Sequence, residues 1–170
     1  MDLHNLIASI ADQFAIPRAL ALAICEQESA FDPWAWNPEP RYRYLWDVLL
    51  NKPFRKLAPT EDASEIPPQD FASFRGVPAD AEWWGQQASW GLMQVMGAVA
   101  RERGFMGRFL SELCDPPVGL EYGCRHLAAY LKRFKEPYPA LEAYNGGPGA
   151  VGHNEKYARE VLARLERFKV

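Results

Sequence analysis

A carboxyl at the end of an apolar helix stripe is a natural place for proton-transfer chemistry, and this 170-residue chain offers one. At about 100° per residue, Pro17, Leu20, Ala21, Ile24, Cys25 and Glu28 fall on one arc, while Glu26 falls on the other side. Glu28 is thus the acid forced toward the core. Apolar walls disfavour the charged carboxylate and raise its pKa. A carboxyl still protonated near neutral pH can serve as a general acid. The bland alternative is a glutamate that turns to water at the helix end, as most do. His4, His126 and His153 are scattered, and no Cys/His cluster has zinc spacing, so neither a metal nor an organic cofactor is expected. The three cysteines are too few, and odd in number, for a disulfide framework, although Cys114 and Cys124 could pair.

The elements that must position Glu28 read as helices. Leu3, Leu6, Ile7, Ile10 and Phe14 have helical spacing, and Pro17 suits the first turn of a second helix reaching about Ala30. From Trp34 to about Ala88 the pattern loosens, and seven of the fourteen prolines lie there. Short helices are expected around Tyr44–Leu50 and Asp70–Phe74. A third, capped by Asp80, would turn Trp83 and Trp84 inward. A helix after Gly91 should end at Gly104. Asp115-Pro116 reads as a cap and first-turn proline for a helix reaching Phe134. A short helix at Pro139–Tyr144, a loop at Asn145–Gly149 and a last helix capped by Asn154 complete the chain. No segment alternates with period two for long, so strands should be few. The expectation is an all-α single domain over 1–170 with a long irregular insertion at about 37–88.

Composition narrows the function. A net charge of −3 gives no basic footprint, which argues against a nucleic-acid partner. No apolar run is long enough to span a bilayer, so membrane insertion is not expected. The start, Met1-Asp2-Leu3-His4-Asn5-Leu6, lacks a positive n-region and an apolar h-region. Synthesis in the cytoplasm without a signal peptide is therefore expected, as a monomer.

Glu28-Ser29-Ala30-Phe31-Asp32-Pro33 resembles the first motif of the soluble lytic transglycosylase family of peptidoglycan-cleaving enzymes. Ser89-Trp90-Gly91-Leu92-Met93-Gln94-Val95-Met96 is similar to its second motif and Ala143-Tyr144-Asn145-Gly146-Gly147-Pro148 to its third. Tyr157-Ala158-Arg159-Glu160-Val161-Leu162 is similar to the closing helix, and Asp115-Pro116 through Leu131 to the helix before the third motif. One four-residue match is weak, but several in the family's order cover roughly residues 5–36 and 89–168. The resemblance implies a lysozyme-like helical fold acting on peptidoglycan glycan strands.

It assigns the catalytic glutamate to Glu28 and implies that Ser29 hydrogen-bonds that carboxyl or the nearby sugar, unless it merely caps the helix end. Gly91, Met93 and Gln94 would line the cleft, with core packing the alternative for Leu92 and Met93. Gly91 makes sense where glycan or another backbone approaches closely. Tyr144 and Asn145 would offer a hydroxyl and an amide to the substrate's N-acetyl groups. Tyr157 would reach back toward the glutamate, or simply pack in the core. Trp34, Trp36 and Trp90 flank the motifs and are the candidates for sugar stacking.

The mechanism implied uses one carboxyl where most glycosidases use two. Glu28 would protonate the leaving oxygen of the β-1,4 bond between N-acetylmuramic acid and N-acetylglucosamine. It would then remove the proton of the muramic acid C6 hydroxyl, whose attack on C1 closes a 1,6-anhydro ring. The insertion departs from the family pattern and supplies Glu39, Asp47, Glu61, Asp62, Glu65, Asp70, Asp80 and Glu82. Glu39 is the strongest candidate for a second carboxylate. If it positions a water, the product would be hydrolytic, as in goose-type lysozymes. A silent glycan-binding or scaffold domain is the alternative of another class. Cell-wall action without an export signal suggests a phage or prophage lysis enzyme, or a virion or secretion-machine component.

Overall fold

The first two apolar stripes become α1 (Leu3–Gln13) and α2 (Arg18–Ser29) in the computed structural model, which describes residues 2–62, 64–74 and 76–169. Asp2 caps α1, its Oδ1 accepting from the Asn5 amide at 3.0 Å. Pro17 stands at the cap of α2, one position before the first turn, and lends it a preset φ. α2 buries Leu20, Ala21, Ile24 and Cys25 as the wheel requires. It stops sharply because Ala30 and Phe31 both take left-handed backbone, at φ 50° and 65°. That conformation costs a non-glycine residue roughly 1–2 kcal/mol. Hydrogen bonds from their amides to Glu26 and Cys25, and the Phe31 ring against His4 and Phe168, offset it. Glu28 and Ser29 are thereby left on the final turn.

The segment after α2 is less helical than its residues suggest. Three antiparallel strands, β1 (Trp36–Pro38), β4 (Ala88–Trp90) and β5 (Val95–Met96), form a small sheet in the order β1-β4-β5. Asn37 pairs with Ser89 and Trp36 with Trp90. The period of two therefore turns Asn37 and Ser89 to one face and both tryptophans to the other. Between β1 and β4 lie a hairpin, β2 (Trp46–Asp47) and β3 (Lys52–Pro53), a single turn α3 (Pro59–Asp62) and α4 (Ala79–Gln86). The hairpin replaces the helix expected at Tyr44–Leu50. Asp47 Oδ1 accepts from the amides of Leu49 and Leu50 at 3.0 and 2.9 Å, a local turn that competes with helix. No helix forms at Asp70–Phe74, where Phe71 instead packs edge-on against Phe54 and Trp83. α4 forms, but its cap is Pro78 rather than Asp80, and Trp83 is buried while Trp84 is exposed.

The helix expected directly after Gly91 is preceded by a tight turn and β5. α5 (Gly97–Glu102) starts only at Gly97, where a Cβ would lie 2.1 Å from the Gly85 carbonyl. It ends before Gly104, whose φ of 93° completes the expected stop. A 3₁₀ turn at Leu110–Cys114 leads into α6 (Pro116–Phe134), then α7 (Pro137–Gly146), which absorbs Asn145 and Gly146 from the expected loop. A second 3₁₀ turn at Pro148–Ala150 precedes α8 (Glu155–Phe168). α2 packs along α8 and α6 along α7 around Ile7, Leu20, Ile24, Leu127, Leu141 and Val161. Each such side chain contributes about 1.5–3 kcal/mol by leaving water. Cys25, Cys114 and Cys124 are buried free thiols.

The irregular segment is fastened by a buried ion pair. Arg101 on α5 donates to both oxygens of Glu82 on α4, at 2.9 and 2.8 Å, and both side chains are only 1% exposed. Arg101 also donates to the carbonyls of Phe105 and Gly107, and its guanidinium stacks over Phe74 and Phe105. Gln86 links Glu82 to the backbone of Trp46 in the hairpin. Removing one partner of such a pair strands a buried charge. Glu82→Gln should lose about 3–5 kcal/mol in denaturant unfolding, whereas Glu82→Leu with Arg101→Met should recover most of it. A loss under 1 kcal/mol for Glu82→Gln would contradict this role.

Candidate active site

α2, the sheet, the irregular segment and α5–α7 enclose a cleft of about 920 Å³. Glu28 is half-buried on its wall. α8 lies along α2, which brings the buried Tyr157 to that carboxyl, and the Tyr157 hydroxyl donates to Glu28 Oε1. Burial pushes the Glu28 carboxyl up to about 7, against the Tyr157 hydrogen bond, which pulls it down, and with the nearby Glu39 charge, which pushes it up. Burial also raises the Tyr157 phenol well above its ordinary value, so it remains a donor near neutral pH.

The residues expected around Glu28 divide between cleft and scaffold. Gln94, Tyr144, Asn145 and Glu39 line the cleft with it. Gln94 spends its amide internally, donating to the carbonyls of Ala35 and Gly91 at 3.0 and 2.9 Å and accepting from Ser89 at 2.8 Å. Tyr144 is buried, and its hydroxyl donates to the Met93 carbonyl at 2.7 Å rather than into the cleft. Asn145 is exposed on the rim and accepts from Asn154 at 2.8 Å.

Three residues take no part in the cleft contacts expected of them, and for Met93 and Gly91 the alternatives hold, core packing and the close approach of another backbone. The Ser29 hydroxyl lies 2.9 Å from the carbonyls of both Cys25 and Leu92, so it ties α2 to the 91–94 turn instead of bonding Glu28. Met93 is fully buried against Cys124 and Gly123, and its side chain cannot meet a sugar. Gly91 is required by the protein itself, since a Cβ there would lie 2.4 Å from the Leu113 carbonyl and its φ is 69°. It is absent from the cleft wall. Trp34, Trp36 and Trp90 also lie off that wall, Trp90 donating to the Gly85 carbonyl.

Of the acids in the irregular segment, Glu39 is the one on the cleft wall. Asp47 holds the hairpin turn, Asp62 pairs with Arg43, Glu61 and Asp70 pair with Arg55, and Glu82 pairs with Arg101. Sequence reasoning missed Tyr42, Tyr44, Glu102, His126 and Tyr130, all on the same wall. His126 and Tyr130, one turn apart on α6, were the detectable signal, a polar interruption of an apolar face. It also missed Glu142, buried on α7, which accepts from the amides of Gly152 and Asn154 and so sets the approach to Tyr157.

A family model described as a Transglycosylase SLT domain matches residues 5–166. The chain belongs to this family. Its helical architecture is the lysozyme-like one that SLT domains share, and the activity of such domains is peptidoglycan cleavage of the lytic transglycosylase or lysozyme type. No curated protein and no solved structure matches the chain. Among the described residues, no helix is long and apolar enough to cross a membrane.

The raised Glu28 carboxyl has a consequence for this SLT domain's stability. The folded state binds the proton more tightly than the unfolded one. Its contribution is fully present below the ordinary value of 4.5 and is lost as pH rises through about 7. Replacing the ionisable group removes that loss. The melting temperature of Glu28→Gln should therefore rise relative to the parent as pH increases from 4.5 to 8. A difference independent of pH would contradict the raised carboxyl.

Proposed function

We propose that this chain is a lytic transglycosylase in which Glu28 is first the acid and then the base. The carrying observation is one carboxyl, poised at about 7 on the wall of the cleft, with a tyrosine donor on one oxygen. Protonated Glu28 gives its proton to the glycosidic oxygen of the β-1,4 bond that follows N-acetylmuramic acid. The acetamido oxygen of that sugar stabilises the developing positive charge at C1. The resulting carboxylate, steadied by Tyr157, takes the C6 hydroxyl proton while O6 attacks C1. Bond breaking and ring closure balance without water, and the sugar leaves as a 1,6-anhydro end. Ser29, Gly91 and Met93 serve as the frame that holds Gln94 and Tyr144 beside Glu28.

A second reading rests on Glu39, which shares the cleft wall and acts on the Glu28 carboxyl. Here Glu39 would hold a water for hydrolysis, as a muramidase does.

Both readings need Glu28 protonated, so turnover should fall as pH rises beyond about 7. Glu28→Gln should lose roughly 10²–10⁴-fold in rate on purified peptidoglycan with its circular dichroism unchanged. Near-normal activity would sink the assignment. Glu39→Gln separates the readings. The transglycosylase reading expects activity to persist, with the alkaline limb shifted to lower pH because a like charge is gone. Hydrolysis through Glu39 expects activity to be abolished.

A further inference from the structure

Glu142 is a buried carboxylate that neither the proton transfers nor the Glu82–Arg101 pair uses. It sits on α7, only 2% exposed, and has no ion-pair partner among the described residues. Both of its oxygens instead accept backbone amides of the turn that leads into α8. Gly152 donates to Oε2 at 3.0 Å and Asn154 to Oε1 at 3.3 Å. A buried acid without a cation is a costly way to hold a turn. A glutamine could not replace it, since it has one acceptor oxygen and would press its NH₂ against the other amide.

What the turn positions is Tyr157. Asn154 is the cap residue of α8, and Tyr157 lies three residues on, in the first turn. An asparagine cap ordinarily accepts an amide of that turn with its side chain. Asn154 makes no such bond, and its side-chain amide donates to Asn145 Oδ1 at 2.8 Å. The first hydrogen bond of the helix, from the Ala158 amide to the Asn154 carbonyl, is long at 3.5 Å. The start of α8 is therefore held from outside, by Glu142. Each helical residue advances about 1.5 Å and turns about 100°. A slip or rotation at Asn154 carries the Tyr157 ring with it and takes its hydroxyl off Glu28 Oε1. α7 also carries Tyr144, which holds the Met93 carbonyl. One helix thus sets both the 91–94 turn and the tyrosine donor against the end of α2.

We propose that Glu142 is a positioning residue for the reaction, holding the Tyr157 hydroxyl on Glu28 through the 152–154 turn. It touches neither substrate nor the reacting atoms. This rests on the reading of Glu28 as acid and then base, and it names what keeps that carboxyl's partner in place. The other groups that act on or face Glu28 are Glu39 from the irregular segment, Tyr144 from α7 and Cys25 from α2. None of them hydrogen-bonds to Glu142.

The test is a double-mutant cycle of Glu142→Gln and Tyr157→Phe. It is read by NMR titration of the Glu28 carboxyl, assigned by its absence from Glu28→Gln, and by kcat against pH on purified peptidoglycan. The Tyr157 hydrogen bond pulls the Glu28 carboxyl down. Either substitution should therefore move its midpoint above about 7 and carry the alkaline limb of turnover to higher pH. Tyr157→Phe should lower kcat roughly 10–100-fold, and Glu142→Gln by no more than that. In the Tyr157→Phe background, Glu142→Gln should leave the midpoint in place and change kcat less than about 2-fold. Glu142→Asp keeps both acceptors on a shorter arm, should shift the midpoint less, and decides if Glu142→Gln fails to fold. A midpoint unmoved by Glu142→Gln, or losses that multiply in the double variant, overturns the proposal, for a purely structural role would lower stability and kcat alone. If the parent protein releases nothing from peptidoglycan, the activity reading fails while the Glu28 titration still decides what holds Tyr157.

Discussion

A carboxyl that must give up a proton and then take one back needs two opposed influences. Burial must hold the proton near neutrality, and a donor must steady the anion once the proton has gone. Glu28 has both, because α8 lies along α2 and places the Tyr157 hydroxyl on one carboxyl oxygen. The helix pair sets that contact, so the core around Ile24, Tyr157 and Val161 is also the scaffold of the chemistry.

The rest of the site is held by backbone carbonyls. Ser29 reaches Leu92, Tyr144 reaches Met93, and Gln94 reaches Ala35 and Gly91. These bonds join the end of α2, the 91–94 turn and α7 around one strained stretch, with Ala30, Phe31, Gly91 and Gln94 all at positive φ. Such strain persists where the surroundings over-determine it. Here the close approach of the Leu113 carbonyl to Gly91 fixes the turn from below. The buried Glu82–Arg101 pair performs the same service for the irregular segment, anchoring the hairpin and α4 to α5.

Glu28 was legible because a helix has a fixed period, and one acid on an apolar arc must face the interior. The start of α2 to within one residue of Pro17, the cap at Asp115 and the stop at Gly104 were legible for equally local reasons. The motifs that pointed to Tyr157 and Asn145 fold so that Tyr157 meets the Glu28 carboxyl and Asn145 stands on the cleft wall. Ser29 and Met93 were misassigned for a physical reason. A motif says which residues travel together, not which atom each uses. A serine hydroxyl on a last helical turn finds the i−4 carbonyl first, and Met93 contributes its carbonyl while its side chain fills the core. The hairpin at Trp46–Pro53 was missed because Leu49 and Leu50 read as helix while Asp47 turns the chain locally. Tyr42, Tyr44 and Glu102 on the cleft wall were invisible because long-range packing, not periodicity, brings them there.

The central claim is that one carboxyl closes an anhydro ring and consumes no water. Its most direct test is the mass of the soluble fragments released when purified protein digests purified peptidoglycan. The account predicts fragments one water lighter than hydrolytic muropeptides, with no reducible end. Fragments of hydrolytic mass that borohydride reduces would contradict it and shift the chemistry to a second group, with Glu39 first in line.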